Sequence, residues 1–208
     1  MKNIGLKLVL VLSVVTVSTF ASAMPITGVT ATTSYDSPSP FGSVIESIVD
    51  GSGLSSYTTG AIHEAASPSN AWASTGFPGG FFNFDLGDVY NVDGMAVWNF
   101  NGGTSIGFNA VTIRSSIDFD IFSPIPGTPA NFAIGVAGPE LAEIFSFTTT
   151  ARYISITVTS IHGSTLPALG LSEVMFTGMK PTEAPVPATP ALLGVGLAGL
   201  RWSRRKKA

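Results

Sequence analysis

Ser105 lies in Gly103-Thr104-Ser105-Ile106-Gly107, a G-x-S-x-G pattern, with Asp118 and His162 following in the chain order of an α/β-hydrolase triad. The nucleophile elbow of those enzymes needs a strand before the serine and a helix after it. Here a Gly-rich turn precedes Ser105 and a strand-like run over 108–115 follows, so the match reads as coincidence and the chain as non-catalytic. His63 and His162 are the only histidines, and no H-x-x-x-H pairing exists. Catalytic zinc needs three protein ligands and an open position, so both are expected as exposed loop residues. Asp118-Phe119-Asp120 sets two carboxylates on one side of a strand end. Glycoside hydrolysis needs two carboxyls at a defined separation across a cleft, so these read as solvated turn residues.

Other residue types suit binding better than catalysis. Phe77, Phe108 and Phe119 fall in or beside loops, where an aromatic face can stack on a sugar ring. With 14 Phe in the chain, most must instead fill the core. Arg152 stands in a body poor in bases; it could meet a ligand carboxylate or phosphate, or form an ion pair with Glu173 or Asp85. Over 24–180, three basic residues (Arg114, Arg152, Lys180) stand against twelve acidic ones, a balance of −9. Such a body repels phosphate backbones, which excludes nucleic acid as a partner, and it tolerates a bound cation. The absence of cysteine excludes disulfides and thiolate metal sites.

The elements that must position these residues are strands. Charged residues make up only 11% of the 208, and Gly (23) and Pro (14) are plentiful, a balance that suits short strands and turns. Phe82, Phe84 and Leu86 alternate with Asn83 and Asp85; after Gly87-Asp88, Met95 and Val97 take one face while Ala96, Trp98 and Phe100 take the other. This stretch predicts a hairpin. Further strand-like runs cover 26–33, 108–115, 141–148, 153–160 and 171–177, the clearest being Ile154, Ile156 and Val158 alternating with Ser155, Thr157 and Thr159. Only 44–49 could pass for a helical turn. Short strands with regular breaks and no long helix argue one all-β sandwich or jelly roll.

Asp50-Gly51-Ser52-Gly53-Leu54, Asn70-Ala71-Trp72, Phe84-Asp85-Leu86-Gly87, Val97-Trp98-Asn99, Ala151-Arg152-Tyr153-Ile154 and Gly170-Leu171-Ser172-Glu173-Val174-Met175-Phe176 resemble, in order, the discoidin (coagulation-factor C-domain) family. The resemblance implies an antiparallel, galactose-binding-like jelly-roll β-sandwich over 24–179. It also implies binding of glycans, lipids or proteins through loops at one end, and a structural calcium between an early loop and an acidic residue of the last strand. Asp50 and Glu173 match those two positions. Calcium takes six to eight oxygen ligands, and Gly-rich turns supply carbonyls. Alternatively, Asp50 caps its own turn and Glu173 pairs with Arg152.

The chain ends read as addresses. Lys2 and Lys7, an apolar run over 8–17 and Ala21-Ser22-Ala23 have the form of a secretory signal peptide over 1–23. Residues 180–190 form a Pro-rich linker, and 191–208 a short apolar stretch ending in Arg204-Arg205-Lys206-Lys207. Ten apolar residues as a helix span about 15 Å, half of a bilayer core. Together these resemble the PEP-CTERM sorting signal of Gram-negative bacteria, with Pro185-Val186-Pro187 where that family has Pro-Glu-Pro. The resemblance implies export, transient anchoring in the inner membrane, an exosortase as processing enzyme, and a final place at the cell surface or in the extracellular matrix. The expected function is recognition of extracellular polysaccharide or another surface glycan. The alternative is a structural matrix protein of exopolysaccharide or biofilm, acting by protein–protein association.

Overall fold

The computed structural model describes residues 24–36, 39–76, 78–102, 106–163 and 167–181. The signal-like segment, nearly all of the Pro-rich linker, the C-terminal apolar stretch, Phe77 and Ser105 therefore lie outside the described residues. In chain order the elements are β1 (Thr30–Thr33), a 3-10 turn (Ile45–Ile48), β2 (Ile62–His63), β3 (Trp72–Thr75), β4 (Phe81–Asn99), β5 (Val111–Ser116), β6 (Ser123–Pro124), β7 (Glu140–Leu141), β8 (Glu143–Val158) and β9 (Ala168–Met179). Seven strands form one antiparallel sheet ordered β3-β9-β4-β8-β5-β6, with β1 also on β4, while β2 and β7 pair separately. The fold is an antiparallel jelly-roll β-sandwich, as the alternation of apolar residues predicts. Among the described residues no helix is long and apolar enough to cross a membrane.

The predicted hairpin over 82–100 is a single strand. Both halves of β4 pair with the same partner: Phe81↔Thr157 to Asp85↔Tyr153, then, after a register shift, Tyr90↔Ala151 to Val97↔Glu143. Gly87, at φ 83°, takes a conformation that costs an L side chain energy, and its N–H donates to Asp85 Oδ1 at 2.8 Å. The resulting bulge bends the strand without reversing it. One shared ladder thus carries the chain between two layers. The first holds β1, the start of β4, the end of β8, β5 and β6; the second holds β3, β9, the end of β4 and the start of β8.

Between the layers Phe82, Phe84, Ile154 and Ile156 meet Trp72, Val97, Leu171 and Phe176. Trp72 stands edge-on to Phe82 at 5.1 Å, and Phe84 to Phe176 at 5.2 Å, a geometry aromatic quadrupoles favour. The second layer is buried on its outer face too: Ala96, Trp98 and Met175 pack against Ala61, Leu54 and Tyr57. Trp98 donates its indole N–H to Ala61 O at 3.1 Å. Asn99 pins the irregular connections. Its amide N donates to Phe108 O and Ala133 O, and its Oδ1 accepts from Phe100 N and Phe108 N. The first and last described stretches lie side by side, with Pro25 bridging Thr177, Ile26 N donating to Phe176 O and Gly178 N donating to Met24 O.

Candidate functional site: an outer-face groove and an acidic centre

On the outer face of the first layer, residues that alternate with core positions share cross-strand rows. Thr30 faces Asp85, which faces Tyr153; Thr32 faces Asn83, which faces Ser155. With Phe119 they enclose a groove of about 340 Å³ lined by Thr30, Thr32, Asn83, Asp85, Phe119 and Tyr153. Arg152 stands at its margin. It makes a two-pronged contact with Asp85, Nε to Oδ1 and Nη2 to Oδ2, each 2.9 Å, and its guanidinium lies 5.0 Å from the Tyr153 ring centre. The Arg152 hydrogen bond holds the Asp85 carboxyl below its usual range. Of the two pairings open to Arg152 in the sequence, the structure has the one with Asp85.

Phe119 is the only non-glycine residue at positive φ (70°) among the described residues, and it is 50% exposed. A bulky side chain in that region is strained, so its surroundings must hold it there. They do so through a pinned turn. Ser116 Oγ donates to Asp118 Oδ1, Phe119 N donates to Ser116 Oγ, and Asp120 N donates to Asp118 Oδ1. The Asp120 N–H, with the Ser116 hydroxyl, keeps the Asp118 carboxyl below its usual range. The Phe119 ring rests edge-on against Tyr153 at 5.0 Å and Phe122 at 5.6 Å. Two of the expected ligand residues, Phe119 and Arg152, thus meet on one ring, that of Tyr153. Tyr153 and Asn83 were missed as site residues because alternation reports only that they face outward.

Phe108 goes elsewhere. It is fully buried, 4.9 Å from Phe82, and belongs to the core instead of a loop surface. Its backbone is captured by Asn99, which turns a loop-like sequence inward. Phe77 lies outside the described residues. His63, expected in an exposed loop, is fully buried in β2, with Nδ1 2.6 Å from Glu64 O and Nε2 3.0 Å from Asn70 O. His162 places Nε2 2.8 Å from Phe132 O, and Asp118 is spent on its own turn, so neither stands as a catalytic group.

The second locus is acidic. Glu173 in β9 pairs with Trp98 in β4 and so points to the outer face of the second layer, under the Asp50–Tyr57 segment. It is fully buried. Gly51 N donates to its Oε1 at 3.3 Å, while Oε2 and the nearby turn's Ser52 Oγ are buried without a partner among the described residues. Burial, with the negative charge of Asp50 adding to it, pushes the Glu173 carboxyl up to about 9. The same two carboxylates, after burial, push the Tyr57 hydroxyl up. Asp50 does cap its turn, accepting from Ser52 N at 2.7 Å. Close packing enforces the turn. A Cβ at Gly51 (φ 77°) would meet the Tyr57 ring at 2.8 Å, and one at Gly53 (φ 86°) the His63 ring at 2.8 Å. An orphaned carboxylate oxygen near a second carboxylate and the unpartnered Ser52 hydroxyl is a set of hard oxygen donors, which fits calcium chemistry. Among the described residues no three His, Cys, Asp or Glu converge, so further ligands there would have to be carbonyls, hydroxyls or water.

No protein-family model and no curated protein sequence matches the chain. Solved structures do. A family 32 carbohydrate-binding module of Clostridium perfringens, in complex with GalNAc-β-1,3-galactose, superposes with a TM-score of 0.54 at 15% identity, covering 74% of this chain and 99% of that one. The family 32 module of NanJ from C. perfringens, in complex with galactose, gives 0.52 at 14%, covering 74% and 97%. A fragment of a putative chitobiase from Bacteroides thetaiotaomicron gives 0.55 at 18%, covering 82% and 100%. In fold, the chain is similar to the discoidin-like, galactose-binding sandwich of the family 32 carbohydrate-binding modules.

Proposed function

We propose that the protein is a non-catalytic, exported cell-envelope or matrix protein that binds extracellular carbohydrate through its discoidin-like sandwich. The observation that carries this reading is the groove in which Phe119 and Tyr153 stand beside Asn83, Asp85 and Arg152. Aromatic rings offer a face to the C–H side of a sugar, and the amide, carboxylate and guanidinium offer partners to its hydroxyls. The family 32 modules of like fold were solved with galactose-containing ligands, which agrees with this ligand class. Asp50 and Glu173 would hold a structural calcium ion; bound there, it would satisfy Glu173 Oε2 and stiffen the Asp50–Tyr57 turn. The C-terminal signal would make an exosortase the processing enzyme, after transient insertion in the inner membrane of a Gram-negative bacterium.

The test is a glycan array probed with the full-length protein and a Tyr153→Ala variant, in calcium and in chelator. Binding by the native protein that the variant loses supports the groove. No binding by the native protein in either condition overturns the carbohydrate reading.

A second reading, a structural exopolysaccharide or biofilm matrix protein acting by protein–protein association, is favoured by one surface. Ile134, Val136, Leu141 and Ile144 are all more than half exposed around β7 and the start of β8. Along that start, β8 pairs with β4 on one side and, among the described residues, with no strand on the other. Concentration-dependent sedimentation, abolished by Ile144→Lys, would support this reading.

A further inference from the structure

The groove is one end of a larger surface. From Asp85, the outward positions of β4 run through Asn83 to Phe81, and Phe81 is 43% exposed. Asp85 and Phe81 lie four positions apart along the strand, about 13 Å. Cross-strand registers set Ser155 beside Asn83 and Thr157 beside Phe81, with Thr30 and Thr32 on the flanking strand. Between the Phe119–Tyr153 pair and Phe81 lies a floor of hydroxyl and amide side chains, with Thr112 and Arg114 of β5 in the same rows as Thr157 and Ser155. No side-chain hydrogen bond within the described residues engages Thr30, Thr32, Asn83, Ser155 or Thr157, so their donors and acceptors are free for a ligand.

Charge narrows the class of ligand. Asp85 and Arg152 neutralise one another across their two-pronged contact, which leaves Arg114, exposed and in register with Ser155, as the remaining cation of this face. That single arginine stands on a body that carries −9 over 24–180. A polyanionic glycan approaching it would be repelled.

We propose, building on the carbohydrate reading above, that the outer face of the first layer binds an internal stretch of an uncharged polysaccharide. The chain lies along the strands from Phe119 and Tyr153 to Phe81. Aromatic faces clamp two separated sugars, and the Thr, Ser and Asn side chains meet the hydroxyls between them. Phe119 is held in its strained conformation because the ring must stand at the mouth of this surface; glycine would relax the backbone and lose the clamp.

The experiment is affinity electrophoresis of the full-length protein through gels containing xylan, mixed-linkage β-glucan or galactan, with polygalacturonate as the charged control. Competition follows, with the monosaccharide and with oligosaccharides of increasing length from whichever polymer retards the protein. Retardation by a neutral polymer, competition that improves with length, and about tenfold weaker binding of both Phe81→Ala and Phe119→Gly are the expected results, since one buried ring face is worth about that factor. Unchanged or raised melting temperature of Phe119→Gly would separate the loss of binding from loss of fold. If the monosaccharide competes as well as a hexasaccharide, or Phe81→Ala binds normally while Phe119→Gly does not, the site takes one sugar; the extended surface is then overturned while the carbohydrate reading stands. Equal retardation by polygalacturonate overturns the uncharged class. Retardation by none of the polymers, with no response on the glycan array, overturns both readings.

Discussion

Glu173 offers a measurable consequence of burying a carboxyl with no counter-charge. In metal-free protein its carboxyl, pushed up to about 9, keeps its proton through neutral pH, whereas in the unfolded chain it ionises at its ordinary value of 4.5. Between those values the unfolded chain binds fewer protons than the folded one. Stability from this group is therefore complete below 4.5 and is lost as pH rises towards 9. Each pH unit in that window costs about 1.4 kcal/mol, so moving from pH 5 to pH 8 costs about 4 kcal/mol. In a domain of this size that lowers Tm by about 8–16 °C. A divalent cation held by Glu173, as proposed, would need the carboxylate, so protein in saturating calcium would escape the loss and show a flat profile. Glu173→Gln, of the same shape but uncharged, removes the titration; its metal-free Tm is expected to exceed that of the native protein at pH 8 and to ignore calcium. Differential scanning fluorimetry of metal-stripped protein at pH 5, 6, 7 and 8, with and without calcium, reads all of this. A metal-free native profile that stays flat from pH 5 to pH 8, or a calcium response retained by the glutamine variant, would refute the reasoning.

Other substitutions test the packing and the polar ties. Gly94→Ala brings a Cβ to 2.4 Å from Phe145 O, a backbone atom of the shared ladder, and is expected to cost about 2 kcal/mol or more in urea unfolding. Asn99→Ala leaves the buried Phe108 N–H and carbonyl without their partner, together with part-buried groups at Phe100 and Ala133, and should cost about 3 kcal/mol, with faster amide exchange at Phe108. Asp85→Asn removes an ion pair whose side chains are 30% and 40% exposed; urea unfolding should register less than about 1 kcal/mol, and a larger loss would mean that the pair braces the fold.

Much of the sandwich was legible because one face of a strand is buried and side chains alternate with period two. Phe82, Phe84 and Leu86, and Ile154, Ile156 and Val158, all read as inward and all lie in the core. The 3-10 turn at Ile45–Ile48 fell within the one stretch read as a helical turn. What misled was local chemistry with two outcomes: Gly87-Asp88 looks like the turn of a hairpin, yet a bulge uses the same residues, and only pairing with β8 decides between them. Phe108 looked like a loop aromatic because the amide that draws its backbone inward belongs to Asn99. The groove was harder still. The positive φ of Phe119 leaves no trace in composition, and Arg152's choice of Asp85 over Glu173 depends on which layer each carboxylate faces. Glu173 read as the acidic residue of the last strand, but its orphaned oxygen appears only once the Asp50–Tyr57 segment is folded over it.

The side-by-side placement of Met24 and Gly178 has a mechanical consequence. A force drawing the two ends of the sandwich apart loads the bonds Gly178–Met24 and Ile26–Phe176 one after the other, as a zip opens, and each yields before the next resists. A force entering through the last strand alone, with the reaction taken up elsewhere on the body, is spread along β9 between β3 at its start and β4 along the rest, and many bonds must fail together in shear. Hung from one end, such a body withstands drag; spliced into the middle of a taut chain, it would give way at low tension.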